Sequence, residues 1–371
     1  MPITYKCPSC GAAMEFDSAS QKLACPQCGR QIGMDEYKNI YQDTVTGQAD
    51  NNNTEENESD GKAFGDNGEF SSDYNEKRNF NNGNMKIYHC QSCGAELVTD
   101  EYTSAVICSF CGNPSLVEDR LQGEFRPERV IPFKINKEQA VNIYKVWLKK
   151  GLLTPKTLAT QSTIDKISGV YAPFWLYDYY GESDMHANAE IVRREERGDT
   201  EYIYTDHYKV YRNVSAVFEK VPADASVKLN DGVMDKLEPY NYSELVPFEM
   251  PYLSGYLSER YNYTDKDMIG RIEPRINGYI TQIARSTING YSGYNVISNN
   301  VSLRDIHNQY ALMPVWMLNC RYNGKNFQFM LNGQTGKIVA DRPISIQRAV
   351  VWWFIIFVVT LIVAMLIGLF F

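Results

Sequence analysis

The 371-residue sequence predicts an α+β fold, and three observations carry that reading. Two stretches with apolar residues at helical spacing are each followed by runs rich in aromatic and β-branched residues, the order of a helix and then an antiparallel meander. A Cys-x-x-Cys pair occurs four times in the first third of the chain. The final 23 residues, 349–371, contain no charged side chain.

The cysteine pairs come first. Cys7-Pro-Ser-Cys10 is followed after 14 residues by Cys25-Pro-Gln-Cys28, and Cys90-Gln-Ser-Cys93 after the same 14 by Cys108-Ser-Phe-Cys111. A glycine follows every pair (Gly11, Gly29, Gly94, Gly112), which suits the positive φ of a turn that aims two sulfurs at one ion. Four thiolates fill a tetrahedral Zn2+ and leave no position for water or substrate. Two structural zinc ions are therefore expected. One is held by Cys7, Cys10, Cys25 and Cys28, the other by Cys90, Cys93, Cys108 and Cys111. Disulfides or an iron tetrathiolate are the alternatives. Disulfides need an oxidising compartment, and Met1-Pro-Ile-Thr-Tyr-Lys offers no apolar run for export. Cys320, among apolar neighbours, reads as an inert buried thiol.

These sets define zinc ribbons at 1–38 and 85–125. Between them, 39–84 holds ten acids against Lys62, Lys77 and Arg78, with Asn-rich runs and few apolar residues. Such a stretch cannot bury enough surface to fold and reads as a flexible acidic linker. The net charge of −8 resides mostly there. Ribbon one balances four bases with four acids, and ribbon two sets two bases against six acids. Nucleic-acid binding draws on clustered Lys and Arg that neutralise phosphates, a footprint both ribbons lack.

Residues 126–345 read as a degenerate duplication, 126–240 and 241–345. Ile131-Pro-Phe133 opens the first half and Val246-Pro-Phe248 the second. Tyr171-Ala-Pro173-Phe-Trp175 recurs loosely as Tyr310-Ala-Leu-Met-Pro314-Val-Trp316. The first helix starts at Asn136, a cap with Gln139 three residues on, and carries Ala140, Ile143, Tyr144, Trp147 and Leu148 on one face. Lys149-Lys-Gly151 closes it. A second stripe runs through Ile269, Ile272, Ile276, Tyr279, Ile280 and Ile283, with a break or kink expected at Pro274. Tyr202, Tyr204, His207–Tyr211 and Ser215–Val221 read as strands, and Asn323-Gly324 as a type I′ hairpin turn.

The tail, 349–371, spans about 35 Å as a helix against a hydrocarbon core of about 30 Å. Sixteen of its residues are Leu, Ile, Val or Phe, and at about 0.4 kcal/mol each insertion is favoured by roughly 6 kcal/mol. Trp352 and Trp353 suit the headgroup level. Lys337, Arg342 and Arg348 just upstream place the bulk of the chain in the cytoplasm by the positive-inside rule. The expectation is a single-pass, tail-anchored protein of the cell membrane.

The ribbons, Pro173-Phe-Trp-Leu-Tyr-Asp178, Tyr242-Ser-Glu-Leu-Val-Pro-Phe248 and Asn332-Gly-Gln-Thr-Gly-Lys337 before a terminal anchor resemble the TFIIB-type zinc-ribbon membrane proteins of Gram-positive bacteria. That resemblance implies protein partners of the membrane-stress kind, PspA-like or SPFH-domain proteins. No catalytic residues are expected: His89, His186, His207 and His307 belong to no metal or triad pattern, and Gly290-Tyr-Ser-Gly293 lacks the lysine of a phosphate loop. The functional expectation is a membrane-tethered adaptor or scaffold whose ribbons recruit protein partners. A nucleic-acid or transcription-related binder is the alternative.

Overall fold

A computed structural model describes residues 2–37, 39–40, 86–90, 96–99, 102–108, 114–117 and 125–370. Nearly all of the expected linker (41–84), and Cys93 and Cys111 of the expected second ribbon, lie outside the described residues. Short strands β1 (Pro2–Ile3), β2 (Glu15–Asp17), β3 (Lys22–Ala24), β4 (Gln31–Ile32), β5 (Lys86–His89), β6 (Glu96–Thr99), β7 (Thr103–Ile107), β8 (Pro114–Val117) and β9 (Arg129–Val130) precede helix α1 (Lys137–Lys149). Then come β10 (Ser168–Arg197), β11 (Thr200–Asp224), α2 (Asp231–Leu237), β12 (Val246–Pro247), β13 (Leu257–Glu259) and α3 (Ile269–Ser286). Strands β14 (Gly293–Tyr322), β15 (Lys325–Asn332) and β16 (Ile338–Ala340) lead to α4 (Ile346–Phe370). The result is a mixed α+β protein built on one 11-stranded sheet.

Strand β10 is the spine. It pairs antiparallel with β11 on one side and with β14 on the other, across most of its 30 residues. Its burial changes character along its length. From Gly169 to Leu176 almost every side chain is buried, because both faces are covered. Tyr171 lies with Phe133, Tyr144 and Trp316 in one cluster, whereas Ala172, Phe174 and Leu176 join Met234 and Leu237 of α2 in another. From Gly181 to Ala189 burial alternates: Ser183, Met185, Ala187 and Ala189 are buried, while Glu182, Asp184, His186 and Asn188 are exposed. Only one face is covered there, by α3. The periodicity of 2 marks the point where a sheet layer loses its second cover.

Helix α1 forms as its sequence dictates. Gln139 N donates to Asn136 Oδ1 at 2.8 Å and Asn136 N to Gln139 Oε1 at 3.0 Å, a complete capping box. Ala140, Tyr144 and Leu148 are buried, and the Tyr144 ring meets Phe329 of β15 edge-on at 4.9 Å. Helix α3 buries Ile272, Ile276, Ile280 and Ala284. The break expected at Pro274 does not occur; the helix runs through it from Ile269 to Ser286. Pro274 sits in the second turn and forgoes only the hydrogen bond to the Gly270 carbonyl near the helix start, while Ile272 and Ile276 on either side are packed against the sheet. Close contact with the sheet is possible because position 181 is glycine: a Cβ there would lie 3.0 Å from Ile280 Cδ1.

The separate strands read from Tyr202 to Val221 are one strand of 25 residues, β11. Asn323 (φ 49°) and Gly324 (φ 77°) form the expected turn between β14 and β15, which pair from Tyr322–Lys325 onward. The expected division at 240/241 runs between elements that pair across it: Val246 of β12 faces Val130 of β9, and Tyr310 of β14 faces Trp175 of β10. The recurring blocks of the two halves are neighbours in a single sheet.

A charged clamp fixes α2 and α3 to the end of β11. Arg271 donates to Asp224 Oδ1 at 2.9 Å and to Asp235 Oδ1 at 2.6 Å, while Arg275 pairs with Glu238. Burial pushes the Asp224 carboxyl up to about 6, although Arg271 pulls it down. An aspartate whose folded value exceeds its unfolded value of about 3.9 holds an extra proton in the folded state. Its contribution is full below the unfolded value and is lost as pH rises through about 6.

Two outcomes follow for stability. In denaturant melts from pH 4 to pH 6.5, wild type should lose stability relative to Asp224→Asn as pH rises; parallel curves would contradict the buried, protonated carboxyl. Ile276→Ala should cost about 2–5 kcal/mol by opening a cavity beneath α3, whereas Tyr279→Ala on the exposed side of the helix should cost far less, and equal costs would mean that α3 packs differently.

Candidate metal centre

The first cysteine set is built by two backbone turns of the same geometry. Cys7 N donates to Ala12 O (2.7 Å) and Gly11 N to Cys7 O (2.8 Å). In the second turn Cys25 N donates to Arg30 O (2.8 Å) and Gly29 N to Cys25 O (2.9 Å). Gly11 and Gly29 have φ of 73° and 74°, the left-handed conformation that glycine adopts without penalty. The second turn is the β3–β4 connection, so the β2–β3–β4 sheet holds it against the first.

The ligand atoms of Cys7, Cys10, Cys25 and Cys28 all lie within 4.8 Å of one another. Cys7 Sγ is 3.6 Å from Cys28 Sγ, and Cys10 Sγ is 3.5 Å from Cys25 Sγ. A disulfide needs about 2.05 Å. A tetrahedron with Zn–S bonds of about 2.3 Å has edges of about 3.8 Å, so these separations fit one tetrathiolate ion. The protonation pattern points the same way. Burial raises the Cys7 thiol, but the Ser9 and Cys10 amides and the Cys28 thiol outweigh it and bring it down to about 6. The Ala12 amide pulls Cys10 down, yet the neighbouring Cys25, Cys28 and Cys7 sulfurs and burial push it up to about 12. Four thiolates cannot share this space without a cation among them. If Zn2+ is the ion, it supplies folding free energy and no open coordination position.

Cys7 and Cys25 are buried and Cys10 and Cys28 exposed, so the turns face solvent while the inner pair joins the main core. That core is shared with the large sheet. Phe16 N donates to Ser254 O at 2.9 Å, and Ser254 Oγ donates to Met14 O at 2.6 Å. Gln21, at a φ of 57° that few non-glycine residues adopt, donates from Nε2 to Phe133 O at 2.8 Å. The Phe16 ring meets Tyr252 at 5.1 Å. Strand β1 pairs with β8. The first cysteine unit is thus docked on the body of the protein. Phe16, Met14 and Leu23 share a core with the apolar surface that residues 250–256 provide.

Of the second set, Cys90 and Cys108 are buried beside Leu97, while Cys93 and Cys111 lie outside the described residues. Cys320 is half-buried with its thiol raised by burial. His186 is exposed and meets Tyr211 edge-on at 4.7 Å, and Asp206 and Glu195 pair with Arg193 and Arg197. Sequence reasoning missed the docking residues Phe16, Gln21 and Ser254; the only local signal was an apolar Phe16 in an otherwise polar strand.

Over 353 residues the chain is 37% identical to the Bacillus subtilis (strain 168) uncharacterized protein YdjG, covering 95% of this chain and 94% of that protein. The chain belongs to the YdjG family. No protein-family model and no solved structure matches it.

Cys25→Ser in reduced, metal-supplemented protein should lower bound metal by one ion per chain, read by elemental analysis. Because Cys25 belongs to the shared core, the substitution should also lower the melting temperature of the whole sheet. Unchanged metal content would refute the tetrathiolate site. A loss of metal with an unchanged sheet transition would refute the docking.

Proposed function

We propose that this member of the YdjG family is a membrane-tethered scaffold that recruits protein partners at the cytoplasmic face, with both cysteine sets serving as structural zinc ribbons. The resemblance to TFIIB-type ribbon membrane proteins supports it, as does α4, whose stretch Ile346–Ile367 is long and apolar enough to cross a membrane. One observation carries the reading: the sheet is far longer than its core requires.

At about 3.3 Å per residue, the 30 residues of β10 trace a path of roughly 100 Å. The two ends of that path differ. Ser168 pairs with Met317, near Leu318 and its partner Phe329, and Phe329 packs against α1. The loop after α1 in turn binds the start of α4, through Ser345 N to Leu153 O at 2.8 Å. The opposite end is a two-stranded arm, Ile191–Arg197 with Thr200–Asp206, closed at Gly198 with φ 65°. The tether therefore joins one end of a blade and the arm projects from the other.

Among the described strands, β11 pairs only with β10, and β14 gains β9 and β15 only from Ala311 onward. On the edge facing away from β10, backbone donors and acceptors along Thr200–Glu219 and Gly293–His307 thus have no strand partner among the described strands. Such edges accept an added strand from a binding protein, with side chains such as Val217 and Ile297 beside them for specificity. In this reading the metal turns stabilise the body and the blade receives the partner.

Photo-crosslinkers at Val217 and Ile297, in full-length protein in native membranes, should trap discrete adducts that a crosslinker at Ser9 on the metal turn does not. Adducts only at Ser9 would return recruitment to the ribbons, and none at any position would overturn the scaffold reading. Removal of 349–371 should release the protein from membranes at high salt. Retention would show a second attachment.

A further inference from the structure

We propose that the base of α4 carries a binding site for the phosphate of an anionic phospholipid, formed by Lys145, Lys149 and Arg348. A cavity of about 390 Å3 opens there between the end of α1, the following loop and the first turn of α4, and Leu148 and Pro155 line its apolar side. Among the described residues no acidic side chain lines it.

The cations gather for no partner in the chain. Lys145 and Lys149 stand four residues apart on one helix face, where like charges repel. Neither has an ion pair among the described residues. Compensation of the α1 dipole accounts for Lys149 in the last turn, but not for Lys145 or for an arginine contributed by another helix. Arg348 uses Nη1 on the Thr154 and Leu152 carbonyls, which fixes the guanidinium at the cavity wall. Its remaining donors make no hydrogen bond to the described residues. A phosphate offers two oxygens spaced to meet the in-plane donor fork of the guanidinium.

The surroundings identify where that phosphate comes from. Leu152 is 65% exposed, Ile344 61% and Ile346 69%, on the segments that the Arg348 and Ser345 bonds hold together. Three large apolar side chains exposed beside three cations, at the foot of an apolar helix, match a headgroup with its acyl chains alongside. A soluble phosphate would leave those side chains in water. The inference rests on the membrane reading of α4.

The test uses the full chain in nanodiscs of equal phosphatidylcholine and phosphatidylglycerol, with native mass spectrometry of the lipids retained on release. Wild type should retain phosphatidylglycerol preferentially. Lys145→Gln/Lys149→Gln should reduce that preference roughly tenfold, while Lys209→Gln, an exposed lysine in the open stretch of β11, should not. Equal retention of both lipids by wild type, an unchanged preference in the first variant, or an equal loss in the second would overturn the proposal. Displacement of the lipid by millimolar inorganic phosphate would overturn the lipid assignment in favour of a free anion. Failure of the membrane reading is separately visible, because the protein would then leave bilayers in alkaline carbonate.

Discussion

The pairing register of β10 with β14 and β11 is the constraint on which everything else depends. Tyr171 opposite Pro314 and Trp175 opposite Tyr310 set which side chains point to which face for the whole spine. A slip of one residue would turn Tyr177, Tyr179 and Met185 outward and put Glu182, Asp184 and His186 under α3. The doubly covered region of β10 fixes the register most strongly, because there neither face tolerates the other's residues. From it the alternating region inherits its polarity and α3 its seat on Gly181.

The metal centre depends on the same sheet. A four-cysteine unit of this size has little core of its own, and here Met14, Phe16 and Leu23 borrow one from Phe133, Leu253 and Tyr256. Ser254 closes the contact with two hydrogen bonds to the β2 region, one from its hydroxyl and one to its carbonyl. An ion held by the cysteines would therefore stabilise the region of the sheet on which this unit is docked. This arrangement suits a structural ion better than a sensor on a tether.

The proposed scaffold role follows the length of β10. The heavily covered end of β10 lies near the start of the apolar helix, whereas the other end is an arm whose charges are paired among themselves: Arg193 with Asp206, Arg194 with Glu201 and Arg197 with Glu195. Exposed pairs of this kind contribute little stability. They keep an extended edge soluble while leaving its backbone open, and Lys145, Lys149 and Arg348 gather at the opposite end.

Features whose causes are local were legible in the sequence. The cysteine turns with their following glycines, the Asn136–Gln139 cap, the Asn323-Gly324 turn and the apolar C-terminal helix each depend on residues within a few positions of one another. The alternation of β10 was less legible, because its period changes where a second layer ends, and no residue announces a missing layer. Strand length was hidden too: Asp206 and Arg212 fall between the segments that read as strands, yet in a sheet covered on one face charged residues sit within one continuous strand. What only the tertiary structure decided was every contact between distant segments, including Phe16 on Ser254, β12 on β9, and Arg348 on the Thr154 carbonyl. Those contacts form because apolar surface and unpaired backbone must find partners, and nothing within a short window of sequence specifies which distant partner that is.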